Sequence, residues 1–209
     1  MAWASSASPA PGWECGLPGV PFVAAPGIVG PDHCLPTVEG VQAQISPDYL
    51  IATGGDVTVY YGGESAADAD ALYLNGTMLF FDPLASPGQS VNLGNFAAGT
   101  VIPFQLADLS AGTKWNIGPG STNADGLIHA AFAPWTMNGA IPVNGEFFSF
   151  EDLFGGGDYD LDDALFVASG VTLGPMPPPT PTPEISPSYM ILVGALLCCA
   201  GKMWRRQAV

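Results

Sequence analysis

Short apolar segments alternate with clusters of Gly, Pro, Asn and Ser along most of the chain. Residues 57–61 combine β-branched and aromatic side chains, which are the types most enriched in strands. Residues 71–74 and 78–81 flank Asn75-Gly76-Thr77, and Asn-Gly between two apolar segments is the strongest short signal for a β-hairpin. Further candidate strands are residues 101–106, 127–132, 147–150 and 164–167. The pattern predicts an all-β fold, an antiparallel β-sandwich of jelly-roll-like type.

Composition divides the chain into four segments. Residues 1–42 are rich in Pro and Gly and show no period, so we interpret them as an extended arm that can include the remnant of a signal peptide. Residues 43–174 form the predicted sandwich domain. Residues 175–188 are a Pro-rich linker, in which alternating Pro favours an extended, semi-rigid polyproline II spacer. Residues 189–209 hold an apolar run and a basic terminus.

The apolar run covers residues 189–201, and as a helix it would span about 20 Å at about 1.5 Å per residue. Extending it through Trp204 gives roughly 24 Å, which is short for a bilayer core of about 30 Å. No polar face interrupts it, which disfavours the alternative of a C-terminal core helix. We therefore predict one short transmembrane helix. Its membrane segment includes Tyr189, Leu192, Leu196 and Trp204.

The charge distribution separates the body of the chain from its tail. The 209 residues hold 4 Lys+Arg against 19 Asp+Glu, a formal net charge of −15. The bases after the apolar run, Lys202, Arg205 and Arg206, predict a cytoplasmic C-terminus and an exported body. The acidity of the body disfavours nucleic acid, because phosphate binding needs clustered Lys and Arg. Cations remain as the natural small partners.

The tail resembles the PEP-CTERM sorting signal of bacterial exported proteins, which combines a Pro-rich spacer, a Pro-Glu-Pro motif, a short apolar helix and terminal Arg residues. The matching motif is Pro183-Glu184-Ile185, with Ile185 where the family has Pro. The resemblance implies processing by an exosortase-type enzyme at the inner membrane and release to the cell surface or extracellular matrix. The alternative for the tail is an ordinary single-span anchor that is never cleaved.

The amino-terminal segment leaves two questions open. Ala2-Trp3-Ala4 has the small-x-small pattern of a signal-peptide cleavage region, without a basic and apolar region before it, so either the true start lies upstream or the pattern arises by chance. Cys15 and Cys34 can form a disulfide in an oxidising exterior or remain a free buried pair. The interval between these two cysteines is not that of a zinc site.

The clearest indication of a functional site is the acidic segment at residues 150–167, FEDLFGGGDYDLDDALFV. Six of the 19 acids lie in 13 positions: Glu151, Asp152, Asp158, Asp160, Asp162 and Asp163. Such a density of negative charges is unfavourable unless a cation neutralises them. Ca²⁺ is a suitable cation, because it takes 6–8 oxygen ligands. The preceding glycines, residues 155–157, permit φ > 0 and close backbone approach. The order of Gly and acids is not that of an EF-hand.

Within this segment we expect Asp158, Asp160 and Asp163 to be direct ligands, with Glu151 or Asp152 completing the shell of an ion that ties a loop between the two final strands. Asp162 would face solvent, because neighbours in an extended chain point opposite ways. The alternative is a solvated acidic loop without metal. A sparser group, Glu64, Asp68 and Asp70, is interpreted as a solvated turn, with a distant ligand as the alternative.

The motif from Phe150 through Asp163 resembles a bacterial domain of unknown function with a signature near FEDLxGGGDxDxxD. The resemblance covers about residues 45–170. It implies a β-sandwich, calcium binding and frequent joining to PEP-CTERM tails, and it supplies no activity. Asp162 stands where family members often have Asn.

These observations favour an exported, calcium-binding, non-catalytic β-sandwich with a structural or adhesive role. His33 and His129 are isolated, and no GxSxG, HExxH or phosphate loop appears. The main alternative is a carbohydrate-binding, lectin-like module that uses aromatic side chains. Its candidate residues are Tyr60, Tyr61, Tyr73, Trp115, Trp135 and Phe154. A glycoside hydrolase with a carboxylate pair is the weaker alternative.

Overall fold

The structure is a computed structural model, and it describes residues 23–24, 26, 28–29, 35–137, 139–157 and 160–178. The chain divides into two compact units, Met1–Pro177 and Pro178–Val209. Of the second unit only Pro178 is described. The predicted disulfide, sorting motif, membrane segment and basic terminus therefore lie outside the described residues. No helix within the described ranges is long and apolar enough to cross a membrane.

The described residues are all-β, with antiparallel pairing throughout the strand pairs and only two 3₁₀ helices, Asp82–Leu84 and Gly120–Thr122. In chain order the strands are β1 (Val23–Ala24), β2 (Ile28–Val29), β3 (Thr37–Val38), β4 (Val41–Gln42), β5 (Gln44–Ile45), β6 (Tyr49–Ala52), β7 (Gly55–Glu64), β8 (Asp70–Leu74), β9 (Thr77–Phe81), β10 (Ser90–Phe96), β11 (Val101–Ile102), β12 (Phe104–Asp108), β13 (Thr113–Asn116), β14 (Ala130–Trp135), β15 (Gly145–Phe150), β16 (Ala164–Ser169) and β17 (Val171–Gly174).

The largest sheet has seven strands and is organised around β7. Its order is β7-β16-β15-β14-β5, and the free side of β7 pairs with β10 along its first part and with β1 along its last two residues. Two smaller sheets, β13-β12-β8-β9 and β11-β6-β17, pack against one face of it. This arrangement is consistent with the predicted β-sandwich.

The main core lies between the large sheet and these two smaller sheets. Phe104 of β12 stacks on Phe148 of β15 with ring centroids 4.9 Å apart, and Phe148 stacks on Phe166 of β16 at 5.3 Å. Offset stacking of this kind adds to the hydrophobic gain from burying the rings. The two strands that border the acidic loop, β15 and β16, therefore contribute aromatic side chains to this core.

The large sheet is buried on its second face as well. Along β16, residues Ala164, Phe166 and Ala168 belong to the main core, whereas Leu165 and Val167 belong to a second core. Ile28 and Val38 from the amino-terminal strands contribute to this second core. A strand buried on both faces needs apolar residues at successive positions, which explains the continuous apolar sequence of β16.

The predicted hairpin is confirmed. Strands β8 and β9 are joined by Asn75 and Gly76, with φ of 50° and 80°, which is the positive-φ pair that a type I′ turn requires. The strand predicted at residues 101–106 is interrupted at Pro103, which has no N–H for a ladder. The chain there passes from the β6 sheet to the β8 sheet.

Two strand predictions need correction. The strand predicted at residues 127–132 begins only at Ala130, because the preceding residues form a loop in which Asp125 accepts a hydrogen bond from the N–H of Leu127. β15 and β16 are also not the final strands, since β17 follows and pairs with β6.

Candidate metal centre

The acidic loop connects two neighbouring strands, β15 and β16, and its two ends are held together by hydrogen bonds. The N–H of Asp152 donates to Oδ2 of Asp163 at 2.9 Å. The carbonyl of Asp163 in turn accepts a hydrogen bond from the N–H of Ser65 at 3.4 Å. The loop is therefore closed at its base and attached to the segment that follows β7.

The three glycines turn the chain back toward the base of the loop. Gly155, Gly156 and Gly157 have φ of 80°, 83° and 50°, a region that residues with a Cβ rarely adopt. The N–H of Gly155 donates to Oδ2 of Asp125 at 2.9 Å. A Cβ added at Gly157 would collide with Oε1 of Glu151. A larger residue here would therefore have to displace this carboxylate.

Two groups of carboxylates converge within the loop, and Asp163 belongs to both. One group is Glu151, Asp152 and Asp163, and the other is Asp160, Asp162 and Asp163. In each group, one oxygen per residue lies within 4.8 Å of the others. All five side chains are buried, and none is more than 8% exposed. These buried acidic clusters could hold a metal ion.

Asp162 does not face solvent as the alternation of an extended chain predicts. It is 1% exposed and stands in the same group as Asp160 and Asp163. The cause is Leu161, whose φ of 52° breaks the extended conformation between the two aspartates. The N–H of Asp162 donates back to Oδ1 of Asp160 at 3.3 Å. A buried non-glycine residue at positive φ is costly, by about 1–3 kcal/mol, and such strain is frequent at functional sites.

The structure brings together five of the six predicted ligands, and the sixth, Asp158, lies outside the described residues. The sparser acidic group is corrected in part, because Asp70 is not in a solvated turn. It is 1% exposed and begins β8. Glu64 and Asp68 are only half-buried, and the hydroxyl of Tyr61 donates to Oε2 of Glu64 at 3.0 Å.

Two further aspartates that sequence analysis did not select accompany Asp70. Asp82, 5% exposed, follows β9, and Asp108, 1% exposed, ends β12. Asp108 is the direct strand partner of Asp70. The Asn75-Gly76 turn did not indicate Asp82, because a register shift between Leu72 and Tyr73 pairs Ala71 with Phe81 and so brings Asp82 next to Asp70.

Burial and mutual repulsion shift the carboxylates toward their protonated forms. Burial, followed by the charges of Asp152 and Asp82, raises the pKa of Asp70 to about 10. Burial raises the pKa of Asp82 to about 7, against the lowering effect of the hydrogen bond from the Asp70 N–H. Burial raises the pKa of Asp152 to about 6, and burial with Glu151 and Asp152 raises the pKa of Asp163 well above its usual range.

Among the residues that the structure describes, Lys114 is the only Lys or Arg. Lys114 is exposed, and its Nζ lies 5.8 Å above the ring of Tyr73. Nε2 of His129 lies 2.8 Å from Oδ2 of Asp125. Buried charges of one sign need protons or cations for compensation. The donor set is made only of carboxylate oxygens, which suits a hard divalent cation.

A ring of hydrogen bonds outside the carboxylates holds the loop in place. Nδ1 of His129 lies 2.9 Å from the carbonyl of Glu151, and the His129 ring stacks on Trp115 at 3.8 Å with the planes 9° apart. Nε1 of Trp115 donates to the carbonyl of Asp152. Although burial alone would raise the pKa of Asp125, hydrogen bonds from Leu127, Gly155 and His129 lower it. This outer layer fixes the backbone that carries the first two acids.

The fold and site together define an all-β protein of antiparallel sheets with buried acidic clusters at the end of the large sheet. No protein-family model, no curated protein and no solved structure matches the chain.

Proposed function

We propose that this chain is an exported, non-catalytic protein whose β-sandwich is stabilised by Ca²⁺ bound at the loop between β15 and β16. The observation that carries the proposal is the burial of five carboxylates in two groups that share Asp163. Glu151, Asp152, Asp160, Asp162 and Asp163 would hold the ion, and Asp158 lies between Asp152 and Asp160 in the sequence.

Calcium fits this donor set better than the other common protein metals. Zn²⁺ prefers Cys and His ligands, and both nitrogens of His129 are already engaged by the carbonyl of Glu151 and by Asp125. Mg²⁺ requires near-ideal octahedral geometry and keeps several waters, whereas Ca²⁺ accepts 6–8 oxygens in irregular arrangements. A loop with many carboxylates on a bent backbone matches the more tolerant ion.

The proposed location rests on sequence features. The strongly acidic body, the Pro-rich linker and the tail that resembles a PEP-CTERM signal support export, anchoring at the inner membrane and processing by an exosortase-type enzyme. Extracellular calcium modules bind with Kd values of roughly 10⁻⁴–10⁻³ M, which fits millimolar external calcium. A jelly-roll-like strand order and a role at the cell surface or in the extracellular matrix belong to the same proposal.

The contribution of the ion would be to neutralise a loop that otherwise opposes folding. Both ends of this loop continue directly into β15 and β16, whose Phe148, Phe150 and Phe166 lie in the main core. An ion at the loop therefore stabilises the centre of the large sheet. This supports a structural role rather than catalysis.

The test is a thermal melt of the full chain in mild detergent, in the presence of calcium, of magnesium or of chelator. We expect a rise in Tm specific to calcium in the wild type and its loss in Asp160→Asn. Asp56→Asn is the matched control, because Asp56 is an exposed aspartate on β7. Identical melting with calcium and with chelator would rule the proposal out.

A second candidate function is carbohydrate binding, favoured by one exposed aromatic side chain. Phe154 is 66% exposed beside the three glycines, 6.3 Å from the ring of Trp115. Trp115 and Trp135 are themselves buried, at 0% and 2% exposure, and offer no face to a sugar. Retention on an immobilised polysaccharide should then be lost in Phe154→Ala and kept in Leu84→Ala, whose apolar side chain is 79% exposed.

A further inference from the structure

A small amino-terminal sheet covers the second face of the large sheet. This cover sheet, made of the strands β2, β3 and β4, lies on the side opposite the main core. Val38 of β3 is fully buried there, and Ile28 of β2 is 7% exposed. From β4 the chain continues into β5, which joins the edge of the large sheet beside β14. The cover sheet therefore closes the second core from the outside.

The second core also contains one side chain of the acidic loop. Leu161 is 1% exposed and belongs to this core together with Ile28 and Val38. Ile28 lies close to β16, the strand that leaves the loop. A Cβ added at Gly62 would be 3.3 Å from Cδ1 of Ile28 and 3.0 Å from the carbonyl oxygen of Leu165. The cover sheet and the acidic loop thus contribute to one apolar core.

The backbone at Leu161 determines whether the carboxylates on either side of it form one group. Its φ of 52° is unfavourable for a residue with a Cβ, and the burial of its side chain offsets this cost. With this φ, Asp160, Asp162 and Asp163 converge. In an extended segment, Asp160 and Asp163 would be about 10 Å apart and on opposite faces. The packing of one leucine therefore holds this group of ligands together.

We propose that the cover sheet controls the affinity of the acidic loop for calcium by keeping Leu161 buried at positive φ. The inference rests on the proposed function, because it concerns the regulation of the same loop. Each strand of the cover sheet has only two residues, and Val41 of β4 is 49% exposed. Segments with so few buried contacts open at a lower free energy than the rest of a domain. Opening of the cover sheet uncovers Leu161, and calcium bound at the loop in turn holds the cover sheet closed.

The test compares two substitutions that add the same charge to paired positions of one hairpin, Val38→Asp and Val41→Asp. Val38 is 0% exposed, whereas Val41 is 49% exposed, so only Val38→Asp puts an unpaired charge into the second core and opens the cover sheet. In calorimetric titrations of the full chain in mild detergent, Val38→Asp should bind calcium at least about fivefold more weakly than Val41→Asp. Equal affinities in the two variants would overturn the inference and leave the loop site intact.

Hydrogen exchange of the wild type measures the same coupling in the other direction and needs no variant. Calcium should slow the exchange of the amides of β3 by at least about fivefold, because the bound ion holds the cover sheet closed. The control is β11, which also has two residues but pairs with β6 on the side of the main core. An equal effect of calcium on β3 and β11 would contradict the inference.

A third comparison in chelator separates the failure of this inference from the failure of the proposed function. Val38→Ala and Val57→Ala make the same cavity-forming change at positions that are both 0% exposed, the first in the second core and the second in the main core. Amides of residues 160–163 should exchange faster in Val38→Ala alone. A wild type that binds no calcium would refute the proposed function, and equal exchange in these two variants would refute the link between cover sheet and loop.

Discussion

Asp152 and Asp163 are linked by a hydrogen bond of 2.9 Å from the N–H of the first to Oδ2 of the second. The bond joins the last residues of a loop to its first, next to the paired ends of β15 and β16. Asp163 is also the residue that the two carboxylate groups share. The side chain of Asp163 therefore both closes the loop and belongs to each of its two groups of carboxylates.

Asp163→Asn should consequently remove the calcium response more completely than any other single loop substitution. Asn can still accept the hydrogen bond from Asp152, while both carboxylate groups lose a charge. At a calcium concentration ten times Kd, binding stabilises the wild type by about 1.4 kcal/mol. This corresponds to a rise in Tm of about 4 °C for a domain of this size. Calorimetry of the variant should show almost none of it, whereas a full increment in Asp163→Asn would contradict the assignment.

The pH dependence of the metal-free protein follows from the raised pKa values. In the folded chain burial raises the pKa of Asp82 to about 7 and that of Asp152 to about 6, above the ordinary value of 3.8. Such a group binds its proton more tightly when folded, so its contribution is complete below about pH 4 and is lost as the pH rises through the folded value. Urea unfolding of protein stripped of metal should therefore show stability falling from about pH 4 through pH 7, and the raised pKa of Asp70, about 10, extends the fall to higher pH.

The control for this titration is Asp82→Asn, which lacks one of the carboxylates with a raised pKa and should show a shallower fall between about pH 4 and pH 7. Calcium competes with protons for the carboxylates, so saturating calcium should flatten the dependence in the wild type. Equal slopes for Asp82→Asn and the wild type without metal would exclude Asp82 as a source of the effect.

The glycine run allows a comparison between backbone strain and a steric clash. Gly155 and Gly157 have φ of 80° and 50°, but a Cβ at Gly155 meets nothing within 4 Å, whereas one at Gly157 collides with Oε1 of Glu151. Gly155→Ala should cost about 1 kcal/mol from its φ alone. Gly157→Ala should cost more and should also weaken calcium binding, because Glu151 must move. Equal stability and calcium affinity in the two variants would show that the approach of Gly157 to Glu151 has no functional consequence.

Much of the fold follows from local sequence signals. Asn75-Gly76 specified its hairpin because a type I′ turn needs two residues that accept positive φ. The dense acids from Glu151 to Asp163 indicated the loop, since repulsion on this scale requires compensation. The strand break at Pro103 could not be predicted in the same way. At this residue the chain passes from one sheet to another, and that change depends on pairing partners distant in sequence.

The site was predicted only where its residues are neighbours in sequence. Asp82 and Asp108 are single acids in apolar surroundings, and they reach the cluster only through the registers of β9 and β12 with β8. The orientation of Asp162 depended on one residue, because Leu161 at a φ of 52° reverses the alternation expected of an extended chain. Leucine gives no local signal for positive φ, so tertiary packing of its buried side chain determines this conformation.

The two buried tryptophans provide a matched test of whether the hydrogen bonds outside the carboxylates affect metal binding. Nε1 of Trp115 donates to the carbonyl of Asp152, and Nε1 of Trp135 donates to the carbonyl of Ile141 at 3.2 Å in the second core. Replacing Trp115 by Phe removes this donor from the carbonyl of Asp152, which costs about 1–3 kcal/mol. After Trp135→Phe, the carbonyl of Ile141 still accepts a hydrogen bond from the N–H of Val143 at 2.9 Å.

Both Trp115→Phe and Trp135→Phe should lower the free energy of unfolding, because each shortens a large buried side chain in a core, and the loss should be the smaller one in Trp135→Phe. Only Trp115→Phe should also reduce calcium affinity, because the carbonyl that it releases belongs to a proposed ligand residue, and outer hydrogen bonds typically contribute 10–100-fold to metal affinity. Calorimetric titration of the two variants with calcium measures the difference. An equal loss of affinity in both would trace the effect to general destabilisation, and no loss in Trp115→Phe would show that Asp152 is held in position by its bond to Asp163 alone.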